Sequence, residues 1–250
     1  MAVAQEIRCS HCGAPGEFQP GELTATCKYC GFTTVVETAQ AFTIEQSLIL
    51  NTFDQTQIEK PIKDWMQSGF MKPGDLARKA KITEKQLTYL PFWVVSIQAK
   101  SKYKGIFERI APAIVKEGTI DKEYNWLVLA REVAAFPTRE YDVPLQGKIP
   151  FDFRRIEGFA KILNSEIERN EALELARQQI EAQHRFLLQQ DLDKVVELST
   201  EFTVKQIVYL HAPVWFIKYD YKGGAYQLII DGATGMALKG DIPSSKFGLL

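Results

Sequence analysis

The sequence contains few of the residues that usually carry out chemistry. It has only three histidines and four cysteines in 250 residues. None of the motifs GxxxxGKS/T, GxGxxG, GxSxG or HExxH occurs, which argues against the nucleotide-binding and hydrolytic classes that they identify. His11, His184 and His211 have no sequence neighbours that suggest a general base or a second metal site. We therefore expect no catalytic residues, no small-molecule substrate and a protein that is not an enzyme.

Strong net charge and long apolar runs are also missing. The formal net charge is −1, which argues against a strongly basic nucleic-acid binder. The longest apolar runs, such as Trp126–Ala130, are far shorter than the ~18–20 residues of a membrane span. The first twelve residues lack a basic segment followed by an apolar stretch, so we expect neither a signal peptide nor a transmembrane segment. Apolar residues make up 46%, enough for a sizeable core.

All four cysteines lie in two CxxC pairs near the start of the chain. Cys9 and Cys12 form the first pair, and Cys27 and Cys30 form the second after fourteen intervening residues. This spacing is typical of a zinc ribbon, in which four thiolates hold one structural Zn²⁺. Thiolate ligands with no cysteine left over fit a reducing compartment, so we expect a cytoplasmic protein.

The predicted ribbon is too small to fold by apolar burial alone. Zinc binding would supply roughly 10 kcal/mol of its folding free energy. Residues 1–38 carry two basic and four acidic side chains, which argues against nucleic-acid contact by the ribbon itself. Two roles remain open: a purely structural unit, or a module that docks on a partner.

Hydrophobic periodicity predicts two helices. Asp54 is a candidate N-cap for the first, with Pro61 either kinking it or lying near its start. Its apolar face contains Ile58, Ile62, Trp65 and Met66. The second and longest helix runs from Glu171 to about Gln190. Its predicted buried stripe consists of Ala172, Leu175, Ala176, Gln179, Ala182, Phe186 and Leu187.

Several segments are predicted as strands by alternation and by β-branched and aromatic residues. The clearest are Leu87–Ser101, Asn125–Phe136 and Gln206–Tyr221. The residues between the long helix and Gln206 form a charged stretch. The first strand carries apolar residues on one face and a row of lysines on the other, made of Lys100, Lys102 and Lys104.

Two of these strands resemble each other. Leu90-Pro-Phe-Trp93 and Ala212-Pro-Val-Trp215 share a Pro-x-Trp element, with the two elements 122 residues apart, and a Tyr-Lys-Gly element follows each. A helix and a short apolar strand precede each copy, which predicts a strand-helix-strand-strand unit used twice. Chance similarity between two Trp-containing strands is the alternative.

These observations predict an α+β fold: an N-terminal zinc ribbon and two repeated strand-helix-strand-strand units with mainly antiparallel sheets. The expected boundaries are 1–38 for the ribbon and 39–47 for a linker. The first repeat is expected at 48–150 and the second at 151–250.

Over nearly the whole length, the sequence resembles prokaryotic zinc-ribbon proteins that have a two-part α+β body. The matching features are the two CxxC pairs, the Pro-x-Trp strands, Ile62-Lys-Asp-Trp65 and the closing Asp231-Gly-Ala-Thr-Gly235. Members are often labelled transcription-factor-type or primosomal-helicase-like after the ribbon. The resemblance implies a zinc ribbon and a duplicated body, and it implies no catalytic residues.

Charge is unevenly distributed along the chain. Residues 60–109 contain eleven basic and four acidic side chains, whereas residues 157–201 contain five basic and ten acidic ones. Either these are two solvated faces, or the first repeat presents Lys100, Lys102, Lys104 and Arg109 to an anionic partner. Lysines on a strand also discourage edge-to-edge pairing without any partner.

Two functional hypotheses follow. The first is a non-enzymatic zinc-binding adaptor that binds another protein or itself. The alternative is a factor that docks on RNA or on a ribonucleoprotein, such as the ribosome or RNA polymerase, through the basic first repeat.

Overall fold

A computed structural model describes the chain for residues 46–69, 71–133, 136–138 and 141–243 with side chains. It also describes the backbone of four short strands near the N-terminus. These strands form two antiparallel pairs. β1 (Gln5–Arg8) pairs with β2 (Pro15–Phe18), and β3 (Thr24–Thr26) pairs with β4 (Thr33–Val35).

The rest of the described chain forms eight strands and three α-helices. In chain order these are β5 (Gln46–Ile49), α1 (Glu59–Gln67), α2 (Leu76–Lys79), β6 (Lys81–Phe107), β7 (Ile114–Leu129), β8 (Lys148–Pro150), β9 (Lys161–Ile162), α3 (Arg169–Asp191), β10 (Lys194–Tyr221), β11 (Gly224–Asp231) and β12 (Ala237–Gly240). Two short 3-10 turns lie at Leu145–Gly147 and Phe153–Arg155.

All eight of these strands belong to one mixed sheet built around β6 and β10. These two strands pair antiparallel over nearly their full lengths, from Lys81 opposite Asp220 to Ile106 opposite Lys194. The outer edge of β6 carries β9 and then β7, and the outer edge of β10 carries β5 and then β11. β12 extends the sheet beyond β11, and β8 extends it beyond β5. Only the β5–β10 and β6–β9 pairs are parallel.

The predicted α+β fold with two repeated strand-helix-strand-strand units is wrong. The two Pro-x-Trp strands are the paired centre of a single sheet, with Leu90 opposite Ala212. The hairpin neighbour of each strand, β7 or β11, covers only one of its edges, so the backbone groups of the second edge pair with the other long strand. The charged stretch before Gln206 also belongs to β10, because one face of that part of the sheet is exposed and polar residues alternate along it.

The two central prolines lie where no neighbouring strand needs a backbone N–H from that position. Pro91 falls between Tyr89, the last residue paired with β9, and Phe92, the first paired with β7. Pro213 falls between His211, paired with β5, and Val214, paired with β11. Proline cannot donate to a strand ladder, so it is tolerated in a central strand only at such a gap.

The core consists of layers on both faces of the sheet. On one face, α1 buries Ile62 and Met66 against Trp215 and its neighbours. On the same face, α3 packs its small residues, including Ala172, against β6 and β10. The opposite face is covered by the segment that contains Tyr141 and Val143. Burying both faces explains the near-continuous apolar run from Leu87 to Val95 in β6.

The long predicted helix is present, and its buried stripe differs from the prediction. Residues Arg169–Asp191 are helical, with an N-cap at Glu168. The buried residues recur every fourth position: Ala172, Ala176, Ile180, His184 and Leu188. Of the other residues predicted to be buried, Leu175 and Leu187 are half-buried, whereas Gln179, Ala182 and Phe186 are exposed. The helix therefore presents a second stripe with apolar residues toward solvent.

Candidate functional site

The predicted lysine row lies on β6 between acidic residues from both neighbouring strands. Lys100 is opposite Asp121 of β7 and Glu201 of β10. Lys104 is opposite Glu117 and Glu197, and its Nζ is 2.7 Å from Glu117 Oε1. This hydrogen bond and the two nearby carboxylates raise the pKa of Lys104. Directly opposite residues share a face of a sheet, so the row is a ladder of alternating charge.

Of the remaining two basic candidates, only Arg109 has an acidic partner. Lys102 lies opposite the uncharged Thr119 and Ser199, between the acidic residues that flank Lys100 and Lys104. Arg109 follows β6 and its Nε donates to Asp193 Oδ1 at 3.0 Å. The Asp193 carboxylate also accepts from Glu108 N–H at 2.7 Å, and these bonds lower its pKa. The four residues therefore lie along one strand and its end, but they do not form an uncompensated basic patch.

A buried polar network lies between α3 and the sheet. His184 is fully buried; its Nδ1 is hydrogen-bonded to Ser101 Oγ at 2.7 Å and its Nε2 to Tyr124 Oη at 2.8 Å. Ser101 Oγ is also 2.7 Å from Thr200 Oγ1. Burial, followed by the charge of Lys122, lowers the pKa of His184. Ser101 and His184 have no exposed surface, so this serine–histidine pair satisfies core polarity and is closed to a substrate.

A second network joins the segment after β8 to the sheet. Tyr89 Oη donates to Glu157 Oε2 at 2.9 Å, and Asn51 Nδ2 donates to Glu157 Oε1 at 2.7 Å. Trp215 Nε1 donates to Asn51 Oδ1 at 3.0 Å. Burial and the Glu157 carboxylate raise the pKa of Tyr89, so the phenol stays protonated and acts as a donor. Each carboxylate oxygen has a donor, so this arrangement stabilises the fold.

His211 is buried on β10 with only one of its ring nitrogens satisfied within the described residues. Its Nε2 is 3.0 Å from Leu163 O, while Nδ1 is buried without a hydrogen-bond partner. Burial lowers the pKa of His211 to about 4. The ring lies against the aromatic rings of Phe151 and Tyr209, which cannot solvate a positive charge.

We expect this histidine to make the protein less stable as the pH falls below about 6.5. The unfolded chain takes up a proton near pH 6.5 and the native state only near pH 4. The free energy of unfolding should fall by about 3 kcal/mol across this window, and no loss is expected above it. Urea unfolding at pH 7.5, 5.5 and 4.2 measures the change. The same pH dependence in His211→Gln would contradict the assignment.

An open groove runs between the outer edge of β7 and α3. It has a volume of about 590 Å³. Its lining residues are Asn125, Trp126, Leu127, Val128, Leu129, Thr138, Tyr141, Leu175, Gln179, Ala182, Gln183 and Phe186. None of these carries a charge, although charged residues make up 24% of the chain. The groove is therefore lined by uncharged side chains, both apolar and polar.

Two side chains define the walls of this groove. Phe186, in the C-terminal part of α3, is 56% exposed. Trp126 of β7 donates from Nε1 to Gln179 Oε1 at 2.7 Å. This bond holds the two walls in register. Gln179, Ala182 and Phe186 were predicted as part of the buried stripe of α3, and they line the groove instead.

The predicted zinc ligands Cys9, Cys12, Cys27 and Cys30 lie outside the described residues. In sequence, the first CxxC lies between β1 and β2, and the second lies between β3 and β4. The four-cysteine zinc site therefore stays a prediction. Among the described side chains, no three His, Cys, Asp or Glu residues are grouped to hold a metal.

Comparison of the chain with protein-family models, curated proteins and solved structures gave no match. No helix in the described part of the chain is long and apolar enough to cross a membrane.

Proposed function

We propose that the protein is a non-enzymatic adaptor that binds a protein partner in the groove between β7 and α3 and carries a structural zinc ribbon at its N-terminus. The carrying observation is the uncharged lining of the groove, with Phe186 exposed at its wall. The cores of protein interfaces are depleted in charged residues and enriched in aromatic ones. A reducing cytoplasm suits the four predicted thiolate ligands, and we propose that location.

The basic row supports the RNA or ribonucleoprotein alternative less well. Lys100 and Lys104 lie directly opposite carboxylates on both sides, so their charge is largely compensated at the surface. A nucleic-acid backbone requires uncompensated cations, because affinity depends on release of counterions. An adaptor that contacts a protein through the neutral groove is the better supported function.

Affinity purification from the native cell tests the proposal. The wild-type chain should capture a partner protein in nuclease-treated extract, and Phe186→Glu should capture at least about tenfold less, because a carboxylate would be desolvated in the groove. Met236→Glu is the matched control: it introduces the same charge at a 68% exposed position near the opposite edge of the sheet, and it should capture as well as wild type.

Three outcomes would contradict the proposal. Nuclease-sensitive capture that Lys100→Glu abolishes would favour the RNA alternative. Equal capture by wild type and Phe186→Glu would place the binding surface elsewhere. Turnover of a substrate that a point substitution in the body abolishes would identify an enzyme.

A further inference from the structure

Beside the groove, the backbone groups on the outer edge of β7 have no partner among the described residues. Within the described chain, β6 is the only strand that pairs with β7. The pairing runs from Phe107 opposite Ile114 to Phe92 opposite Leu129 without a register shift. Ala130 N donates to Pro91 O at 2.9 Å, so residue 130 faces β6. Backbone direction alternates along a strand. Asn125, Leu127 and Leu129 therefore direct their N–H and C=O groups outward, at the edge that borders the groove.

Charge along this edge changes where the groove begins. The part of β7 before the groove carries Lys116, Glu117, Asp121, Lys122 and Glu123. Charged side chains on an edge strand discourage pairing with another chain. From Tyr124 to Leu129 the same strand has no charge. β7 thus has a charged segment that discourages pairing and an uncharged segment, Tyr124–Leu129, that borders the neutral groove.

The side chains beside this edge fit an extended peptide. A peptide strand that pairs with residues 124–129 would place alternate side chains on the α3 side of the sheet. There Leu175, Ala182 and Phe186 supply apolar contact, and the amides of Gln179 and Gln183 supply uncharged polar groups. Since the lining carries no charge, a charged side chain would be desolvated there without a counter-ion.

We propose that the edge Tyr124–Leu129 binds an uncharged, extended segment of a partner protein by strand addition, with alternate side chains packed into the groove against α3. This inference rests on the proposed function and specifies how the partner is held. Main-chain hydrogen bonds from Asn125, Leu127 and Leu129 provide affinity, and the groove selects apolar or small polar side chains.

The size of the edge favours a peptide over a second copy of this chain. Six strand residues extend for about 20 Å. A contact of this length and the width of one strand buries a few hundred Å², well below the ~1,200 Å² of a stable interface between folded proteins. An extended peptide buries most of its own surface in the groove and also gains the backbone hydrogen bonds, so a short edge is sufficient for it.

Selection from a phage-displayed library of random heptapeptides on the full-chain protein tests the inference. Uncharged sequences rich in alternating β-branched or apolar residues should be enriched, and Asn125→Pro should weaken the best selected peptide by at least about tenfold. Thr119→Pro is the matched control, because Thr119 also directs its N–H outward from β7 and lies outside the groove. It should bind the peptide as wild type does.

N-methylation of the selected peptide separates strand addition from other binding modes. Alternate amides of a bound strand point to opposite edges. Methylating the set that faces β7 should abolish binding, and methylating the set that faces away should change it by less than about threefold. Tolerance of both methylated sets, enrichment of charged sequences, or no enrichment would overturn strand addition.

The remaining outcomes separate this inference from the adaptor function. If Phe186→Glu loses the cellular partner and Asn125→Pro keeps it, the groove binds a partner but not by strand addition. If neither substitution affects capture, both proposals fail. A concentration-dependent dimer of the wild type, measured by light scattering and lost in Asn125→Pro, would make a second copy the occupant and overturn the peptide proposal.

Discussion

The purified full chain is expected to carry one zinc ion, and Cys27→Ser is expected to lose it. Four thiolates complete a tetrahedral site, and replacing one with a hydroxyl removes a ligand that zinc strongly prefers. Roughly 10 kcal/mol of the ribbon's folding free energy depends on the metal, so the first 38 residues should become sensitive to protease. Elemental analysis by mass spectrometry and limited proteolysis measure the two effects.

His11 provides the matched control for this prediction. It lies within the first CxxC, and its imidazole is not needed once the four cysteines bind. His11→Ala should therefore keep one zinc per chain and the protease resistance of wild type. Zinc lost from His11→Ala, or retained at one equivalent in Cys27→Ser, would contradict the four-cysteine site.

Trp215→Ala is expected to cost about 3–5 kcal/mol of the free energy of unfolding. Trp215 is fully buried in the core beneath α1, in contact with the ring of Phe159. Its removal leaves a large cavity and removes the hydrogen bond that Trp215 Nε1 donates to Asn51 Oδ1. Asn51 in turn holds Glu157, so the segment after β8 should loosen as well. Urea unfolding followed by circular dichroism measures the loss.

Trp126→Ala separates the effect of burial from the effect of removing an indole. Trp126 is only partly buried at the groove, so its replacement should cost roughly 1 kcal/mol. Trp215→Phe should fall between the two alanine variants, because it keeps a ring and still loses the hydrogen bond to Asn51. Equal losses for Trp126→Ala and Trp215→Ala would contradict the place assigned to Trp215 at the centre of the core.

Local patterns predicted several elements and failed on their assembly. Alternation in Leu87–Ser101 and Gln206–Tyr221 predicted strands, and both segments lie within β6 and β10. Neither segment alone shows that it pairs with the other, because pairing between distant segments depends on which strand edges the rest of the fold leaves free. The helix that contains Ile62 and Met66 was also predicted, although Asp54 bonds to the N–H groups of the preceding turn instead of capping it.

The groove was missed for a physical reason that involves α3. Leu175 and Phe186 are apolar and recur at helical spacing with Ala172, so the pattern predicts a single buried stripe. The sheet buries the stripe that contains Ala172, Ile180 and His184, and Phe186 on the other stripe is left beside the outer edge of β7. Periodicity identifies apolar faces, whereas only the packed structure tells which face lacks a partner.

The lysine row shows the converse limit. The alternation of Lys100 and Lys104 correctly predicts that both project from one face of a strand. Of the acidic neighbours of Lys104, Glu117 is near it in sequence and Glu197 is distant. Only the register of the sheet places both beside the lysine. The net charge of a sequence window therefore did not predict the charge of the surface.

The central pairing also determines the order in which the chain can fold during synthesis. Leu90 and Ala212 are opposite each other but lie 122 residues apart. At about 5–20 residues per second, β6 leaves the ribosome roughly 6–25 seconds before its partner strand is complete. During this interval β6 can pair only with β7 and β9, which share one of its edges, and its other edge waits for β10. Chain synthesis, not local structure formation, should therefore limit how soon the sheet closes, and any factor that shields this edge must act before β10 emerges.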